Sequence, residues 1–310
     1  MANRFPQVSL VGAGTVGTTL ACALQAKGYP FASIISRTGS DAAAAAKTLR
    51  CSRASTVVAD LSPETEILLL SVPDGAIAAL AKQIAALKQL RFKKMFVVHS
   101  SGVHPASVLA PLKKKGAAVA SMHPIQTFPR QLSGAQLRAR LKGIYYGIDG
   151  DALAVRKAEN LAADLGGRTV EIPEELRPLY HVTCVFASSY LMVLVNAISE
   201  LAKTLPLTAS WTEVFGPLMT TSMEHTIKFS ASHSLTGPII RRDGATVDAH
   251  LRALCALAPH FLPLYTIAGI EVGRVAKRGG QLSQEDIEQL LQRFRKFIKT
   301  QPTTNRKVNK

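Results

Sequence analysis

The sequence is short of cysteine and spreads what it has. Cys22, Cys51, Cys184 and Cys255 are the four, and no two form a Cys-x-x-Cys pair. That argues against a disulfide framework or a compact zinc site and fits a reducing, cytoplasmic setting. His225, His233, His250 and His260 lack ligand spacing with carboxylates, so no metal is expected. Acid is also scarce: 21 Asp and Glu stand against 37 Lys and Arg, a formal net charge of +16. Such an excess suits nucleic acid, a membrane surface or anionic small molecules. Part of it is local, because Arg293, Arg295, Lys296, Lys299, Arg306, Lys307 and Lys310 follow one another without an acid. Arginines do not interleave with aromatics as on a base-stacking surface, so a solvated basic surface is expected and a nucleic-acid partner is not.

Two uncharged stretches look like membrane signals. Val8 to Ala26 follows Arg4 and ends in small residues, as a signal peptide does, but glycines 12, 14 and 17 interrupt it. Val182 to Ser199 contains Thr183, Ser188, Ser189 and Asn196. It reads as a buried helix of a soluble protein, with no membrane partner expected. Ser189 and Asn196, seven apart, would share one face. No internal repeat is present.

The chain has 310 residues, 47% of them hydrophobic and 19% charged, enough for two domains with sizeable cores. Its first half alternates strand and helix patterns. Strands are expected at Val8–Val11, Phe31–Ile35, Val57–Ala59, Ile67–Val72, Met95–His99, Ala117–Met122, Ile144–Ile148 and Thr169–Ile172. Helices fall between them, at Thr18–Ala26, 40–49, Ala76–Leu87, Ala106–Lys115 and 152–165. Apolar strands separated by helices mean a parallel sheet covered on both faces. After Pro173 only helices are expected: Leu179–Leu205, Trp211–Phe229, Val247–Leu257, Leu262–Lys277 and Gln284–Lys299. Thr246 reads as an N-cap, and Ser283 with Asp286 as a helix start. The fold class is therefore α/β, a doubly wound Rossmann sheet over 1–172 followed by an all-α domain over 173–300. Residues 301–310 read as a disordered basic tail.

Gly12-Ala13-Gly14-Thr15-Val16-Gly17 is a G-x-G-x-x-G sequence that follows a strand and opens a helix. In that context the glycines serve the tight turn, the approach to a pyrophosphate and helix–strand packing, with the helix N-terminus facing phosphate. The second strand ends in Ile35-Ser36-Arg37-Thr38, with no acid before Asp41. An acid here would accept from a ribose 2′-OH; Arg37, with Ser36 and Thr38, suits a 2′-phosphate instead, so the expected cofactor is NADP(H). Ser71-Val72-Pro73-Asp74 and His99-Ser100-Ser101-Gly102 end later strands, where ligands bind in such folds.

The glycine loop, the Ser-Val-Pro-Asp turn and the helix near 179 together resemble the 6-phosphogluconate dehydrogenase-like superfamily. More closely, His99 to Gly102, Met122-His123-Pro124, Tyr180-His181 and Leu235-Thr236-Gly237-Pro238 resemble a bacterial family. That family joins a Rossmann-like domain to a helical domain of unknown function and is described as NADP-dependent oxidoreductases. The resemblance implies a helical domain of the 6-phosphogluconate dehydrogenase C-terminal type, a homodimer, and a substrate site near Ser100–Gly102, His123 and the following helix. Hydroxyacid dehydrogenases of the superfamily use a lysine on that helix, but no lysine occurs here between Lys157 and Lys203.

Hydride transfer to a carbonyl or imine needs a proton donor. His181 is the first candidate, with Tyr180, His123 and Ser101 behind it; each also has a structural reading. Arg241 could hold an anionic substrate or meet a second subunit. The function expected is hydride transfer between NADP(H) and a small anionic carbonyl or imine compound. The missing lysine leaves a non-catalytic dinucleotide sensor as the alternative.

Overall fold

In the computed structural model, residues 5–299 are described. The first part is a single eight-stranded sheet. Its strands are β1 (Val8–Val11), β2 (Phe31–Ile35), β3 (Ala54–Ser55), β4 (Ile67–Leu70), β5 (Phe96–His99), β6 (Ala118–Pro124), β7 (Tyr145–Gly150) and β8 (Arg168–Glu171). They lie in the order β3-β2-β1-β4-β5-β6-β7-β8. The first six are parallel, β7 runs antiparallel to β6, and β8 is parallel to β7. Helices α1 (Thr15–Ala26), α2 (Gly39–Thr48), α3 (Asp74–Ala85), α4 (Ala110–Lys114), α5 (Gly134–Ala139) and α6 (Ala152–Asp164) connect them.

The two-residue period of a strand sorts the apolar side chains into two cores. Val8, Leu10, Ile67 and Leu69 pack on one face with Leu20 and Leu24 of α1 and Leu161 of α6. Val11, Leu68 and Leu70 pack on the other with Ile77 and Ile84 of α3. Strands buried on both sides read as continuous apolar runs, which is why they were expected as strands at all.

Two expectations here need correction. Val57–Ala59 is not a strand: β3 lies earlier, and Val58–Asp60 is a 3-10 turn. Ala106–Lys115 begins as a 3-10 turn over Ala106–Leu109 and becomes α-helical only from Ala110. The helix α5 was not anticipated.

After β8 the described residues form helices only. A 3-10 turn at Glu174–Leu176 leads into α7 (Arg177–Val185), a π-helical turn at Phe186–Tyr190, and α8 (Leu191–Ala202). Then come α9 (Trp211–Phe229), α10 (Ala231–Ser234), α11 (Gly244–Leu257), α12 (Leu262–Arg278) and α13 (Gln284–Lys299). Two compact units divide the chain, Met1–Ser189 and Tyr190–Lys310. The sheet ends beside the expected boundary at 172, but α7 belongs with the sheet. In the second unit Val247, Leu251, Leu262, Leu290 and Phe294 form a core.

Asp243, not Thr246, caps α11: its carboxylate accepts the Thr246 amide at 3.0 Å. Ser283 and Asp286 do exchange reciprocal bonds at the start of α13. The stretch expected to be a buried helix is not buried within the chain, since Val182, Phe186, Tyr190, Met192, Val193 and Leu194 are exposed. Ser189 lies in the π turn and Asn196 in α8, so the two do not share one regular α-helix as their seven-residue spacing suggests. The expected tail at 301–310 lies outside the described residues.

Candidate functional site

Parallel strands β1, β4, β5 and β6 all end on one edge of the sheet, and the sequence places its motifs there. The three fingerprint glycines answer to different demands. Gly12 has φ +100°, and a Cβ on it would lie 2.1 Å from the Ser71 carbonyl oxygen. A Cβ on Gly17 would lie 2.2 Å from the Gly12 oxygen. Both are required by the packing of α1 on β1 and β4. Gly14 is different: its φ is −73°, and nothing lies within 4 Å of a Cβ there. The fold does not need a glycine at that position. Gly14 also brings no capping side chain to α1, and the first helical turn (Thr15, Val16, Gly17) carries no acid. This leaves an uncapped, electropositive helix end over open space, a fit for a phosphate. Ala13 is part of the same turn, its carbonyl accepting the Thr18 hydroxyl at 3.2 Å.

At the end of β2, Ser36 is buried while Arg37 and Thr38 are exposed. Thr38 caps α2, its hydroxyl oxygen accepting the Asp41 amide and the Ser40 hydroxyl, each at 3.2 Å. Its own proton stays available as a donor. Val72 is half-buried behind Gly12, and Pro73 opens α3. The Ser100 hydroxyl donates to Ser71 Oγ at 3.1 Å, which ties the ends of β5 and β4 together.

The turn after β5 is built around His99. This imidazole is buried, its Nδ1 accepting the Ser101 amide at 3.2 Å and its Nε2 bonding the Pro105 carbonyl at 3.1 Å. Those partners fix a neutral ring with the proton on Nε2, and burial lowers its pKa to about 4. Ser101 is buried as well. Its hydroxyl accepts the His104 amide at 3.1 Å, so the geometry gives this candidate a role in shaping the turn.

The other candidates come together beside that turn. His123 lies near the end of β6, paired across to Gly147 of β7. Tyr180 and His181 lie on α7. His123 Nδ1 and the Tyr180 hydroxyl are 2.7 Å apart, and the His123 and His181 ring centroids 6.0 Å apart. Two glycines make this packing feasible. A Cβ on Gly102 would lie 2.6 Å from His181 Cδ2 and 3.0 Å from His123 Nε2. One on Gly147 would lie 2.4 Å from the Tyr180 oxygen. Burial lowers the His123 pKa to about 4, helped by His181 and Arg177. Burial raises that of Tyr180, with Cys184 adding and Arg177 opposing.

Two residues of this cluster escaped the sequence reading. Arg177 is fully buried, with Nε 2.8 Å from Asp149 Oδ2 and Nη1 donating to the Gly147 carbonyl at 3.2 Å. The Asp149 contact is an ion pair by proximity rather than an aligned hydrogen bond, and Nη2 finds no partner among the described residues. Asp149 also accepts the Ala106 amide at 2.6 Å. Burial pushes its carboxyl up, while Arg177 and that amide oppose the rise. The signals were present: an acid directly follows the apolar run Ile144–Ile148, and a lone arginine stands at the head of a long stretch without Asp, Glu or Lys.

The loop expected around Arg241 does structural work. Arg242 donates to Asp286 at 2.8 Å, and Asp243 caps α11. Arg241 itself is exposed.

The model of a Rossmann-like domain matches residues 2–124, and that of a domain of unknown function, DUF2520, matches residues 144–271. The chain joins a Rossmann-like domain to a DUF2520 domain. No curated protein matches it. Solved structures do. A Bacteroides fragilis protein, described provisionally as an NADP oxidoreductase, is 25% identical with a TM-score of 0.72, covering 87% of this chain and 98% of its own. Protein TM1727 of Thermotoga maritima is 24% identical at TM-score 0.63, with the same coverage, 87% and 98%. A reductive aminase of Aspergillus terreus, solved with NADPH and ethyl levulinate, shares 16% identity at TM-score 0.63 over 93% of this chain and 99% of its own. The last two establish likeness of fold. The DUF2520 match begins one residue before β7, so it takes in Asp149, Arg177, Tyr180 and His181.

Proposed function

We propose that this protein is an NADP(H)-dependent oxidoreductase that transfers hydride between the nicotinamide and a small anionic carbonyl or imine compound. The observation that carries the reading is the open, uncapped start of α1 at Gly14, a position where the fold itself has no need of glycine. Arg37, exposed after a strand that ends without an acid, supports the phosphorylated cofactor. The description of the Bacteroides fragilis relative agrees with this. Gly12 to Gly17 would hold the pyrophosphate, and Ser36, Arg37 and Thr38 the 2′-phosphate. When bound, NADPH supplies the hydride. The chain's own residues position the acceptor, exclude water and supply a proton.

His181 is assigned the proton, because it stands against Gly102 in the cluster and the superfamily's lysine is missing. Val72, Pro73 and Ser100 would border the cofactor's path along the strand ends. A homodimer and a cytoplasmic setting belong to the same proposal.

The test is direct. Calorimetry should give tighter binding of NADPH than of NADH. A panel of oxo acids and cyclic imines, followed by NADPH absorbance, should return a substrate. With that substrate, His181→Ala should lower turnover by roughly a hundredfold or more and leave NADPH affinity unchanged. Tight NADPH binding with no turnover across the panel would favour the sensor reading, and equal affinity for both cofactors would remove the NADP(H) assignment.

A further inference from the structure

We propose that His123 acts as a neutral hydrogen-bond donor through Nε2–H, with its tautomer set by Tyr180 and Tyr180 set in turn by the buried Asp149–Arg177 pair. The group it receives is a lone-pair acceptor, a carbonyl oxygen or an unprotonated imine nitrogen. Only the identity of that acceptor rests on the oxidoreductase reading; the arrangement of the four residues does not.

The direction of the Tyr180–His123 bond follows from the chemistry of its ends. A phenol is a better donor than a neutral imidazole N–H, and a bare imidazole nitrogen is a better acceptor than a phenol oxygen. At 2.7 Å the short bond therefore runs from the Tyr180 hydroxyl to His123 Nδ1. Burial keeps the phenol protonated. A neutral His123 then has one proton, and it sits on Nε2. That nitrogen faces the place where Gly102 lacks a side chain, and no acceptor meets it among the described residues.

Burial keeps the ring neutral, and the charged groups around it mostly add to this. His181 and Arg177 face it from α7, beside Tyr180, and both disfavour a charge; Asp74, from the start of α3, opposes them weakly.

Behind Tyr180 the chain builds a clamp from three separate segments. Gly147 of β7 gives the phenol oxygen its room and holds Arg177 through its carbonyl. The Arg177 guanidinium carbon lies 5.6 Å from the Tyr180 ring centroid. Asp149 balances that cation and is fixed by the amide of Ala106. Burying an ion pair is costly, and replacing it by apolar residues is often neutral or stabilising. Its retention beside the phenol is accounted for by orientation. The cation over the ring strengthens donation by the phenol, and donation into Nδ1 strengthens Nε2–H as a donor in turn. Asp149 and Arg177 are positioning residues in this scheme. No bond to hydrogen breaks at His123, so a proton added to product comes from another group, for which His181 is placed.

An iminium nitrogen has no lone pair to offer this donor, so a substrate already protonated at nitrogen is selected against.

Long-range proton–nitrogen NMR on the isotopically labelled full chain reads the tautomer without any substrate. His123→Gln assigns the signals. At neutral pH, Nδ1 should resonate as an unprotonated nitrogen and Nε2 as a protonated one. Tyr180→Phe keeps the ring over Gly147 and should draw the two signals toward each other, and Asp149→Asn should do so in part. A protonated Nδ1 in the parental protein, or signals that ignore Tyr180→Phe, would overturn the proposal. Signals that ignore Asp149→Asn would overturn the part assigned to the ion pair. NADPH binding measured on the same parental sample keeps the readings apart, since its failure would count against the oxidoreductase and leave the tautomer as measured.

Discussion

Neutral imidazoles built into the edge of a sheet tie stability to pH. His99 and His123 both have pKa values lowered to about 4 from 6.5, chiefly by burial. As pH falls below 6.5 the unfolded chain takes up protons that the folded chain refuses until about 4. Stability contributed by these groups is therefore complete above pH 6.5 and is lost as pH drops toward 4. A depression of this size corresponds to about 3 kcal/mol per group. Urea midpoints should fall between about pH 7.5 and about pH 5.5, before most carboxylates titrate. His99→Gln should flatten that slope even if it lowers the midpoint at neutral pH. A parental midpoint that does not change over the window would show that these rings are not buried neutral.

Arg37 makes the other forecast at this scale. A charge-assisted phosphate contact is worth about 1.5–3 kcal/mol, so Arg37→Ala should narrow the NADPH–NADH gap by roughly tenfold or more. An unchanged gap in calorimetry would place the 2′-phosphate elsewhere. Arg37, His123, Tyr180 and His181 could be picked out from the sequence because polar residues beside strand ends and helix starts are conspicuous. Arg177 and Asp149 could not be paired, because only the antiparallel return of β7 brings residue 149 to residue 177.

At the scale of elements, the strands that cross the core were legible because burial on both faces leaves an uninterrupted apolar signature. β3 was misplaced since two residues give no period, and Val57 and Val58 are the more apolar neighbours. α5 carried a readable start, Ser133 and Gln136, which form a capping box, but the helix is too short to show a stripe. The π turn at Phe186–Tyr190 was hidden because that stretch is apolar all round, so one inserted residue leaves no phase to break.

The start of α1 yields the prediction proper to this scale. Gly14→Val adds a branched side chain where the chain has open space and an ordinary φ, so the melting temperature should hold. The side chain would fill the approach to the amides of the first turn, and NADPH binding should drop below detection. Gly17→Val makes the contrast, because its Cβ already meets the Gly12 oxygen, and it should lower stability as well as binding. Unchanged NADPH binding in a folded Gly14→Val protein would detach the glycine loop from cofactor binding.

At the scale of the molecule, each unit carries apolar surface that calls for a cover, the first on α7 and the π turn, the second on α8 and α9. Phe186 is 61% exposed, Leu218 66% and Ile227 82%, and soluble monomers rarely leave such residues in quantity. Length and composition would allow the helical run Glu174–Ala202 to cross a bilayer. Its polar residues argue otherwise. Arg177 is committed to Asp149 within the first unit, and Glu200 bonds Asn196 at 2.7 Å and His260 at 3.3 Å. Arg177, Tyr180 and His181 are packed against Asp149 and His123 of the sheet, contacts that a lipid-embedded first half of this run could not make.

A second copy of the chain is the cover that needs no further partner, since a two-fold axis lets an apolar patch on either unit bury its own equivalent. We therefore expect a homodimer, seen as twice the 33.2 kDa chain mass by light scattering at micromolar concentration. Ile227→Glu, at a position already open to solvent in the single chain, should yield a folded monomer of 33.2 kDa. A parental protein that stays monomeric without detergent would remove the dimer, and recovery only in detergent would return the bilayer to consideration. An Ile227→Glu protein that remains dimeric, with Leu218→Glu also dimeric, would move the interface off α9 and onto α7 and α8.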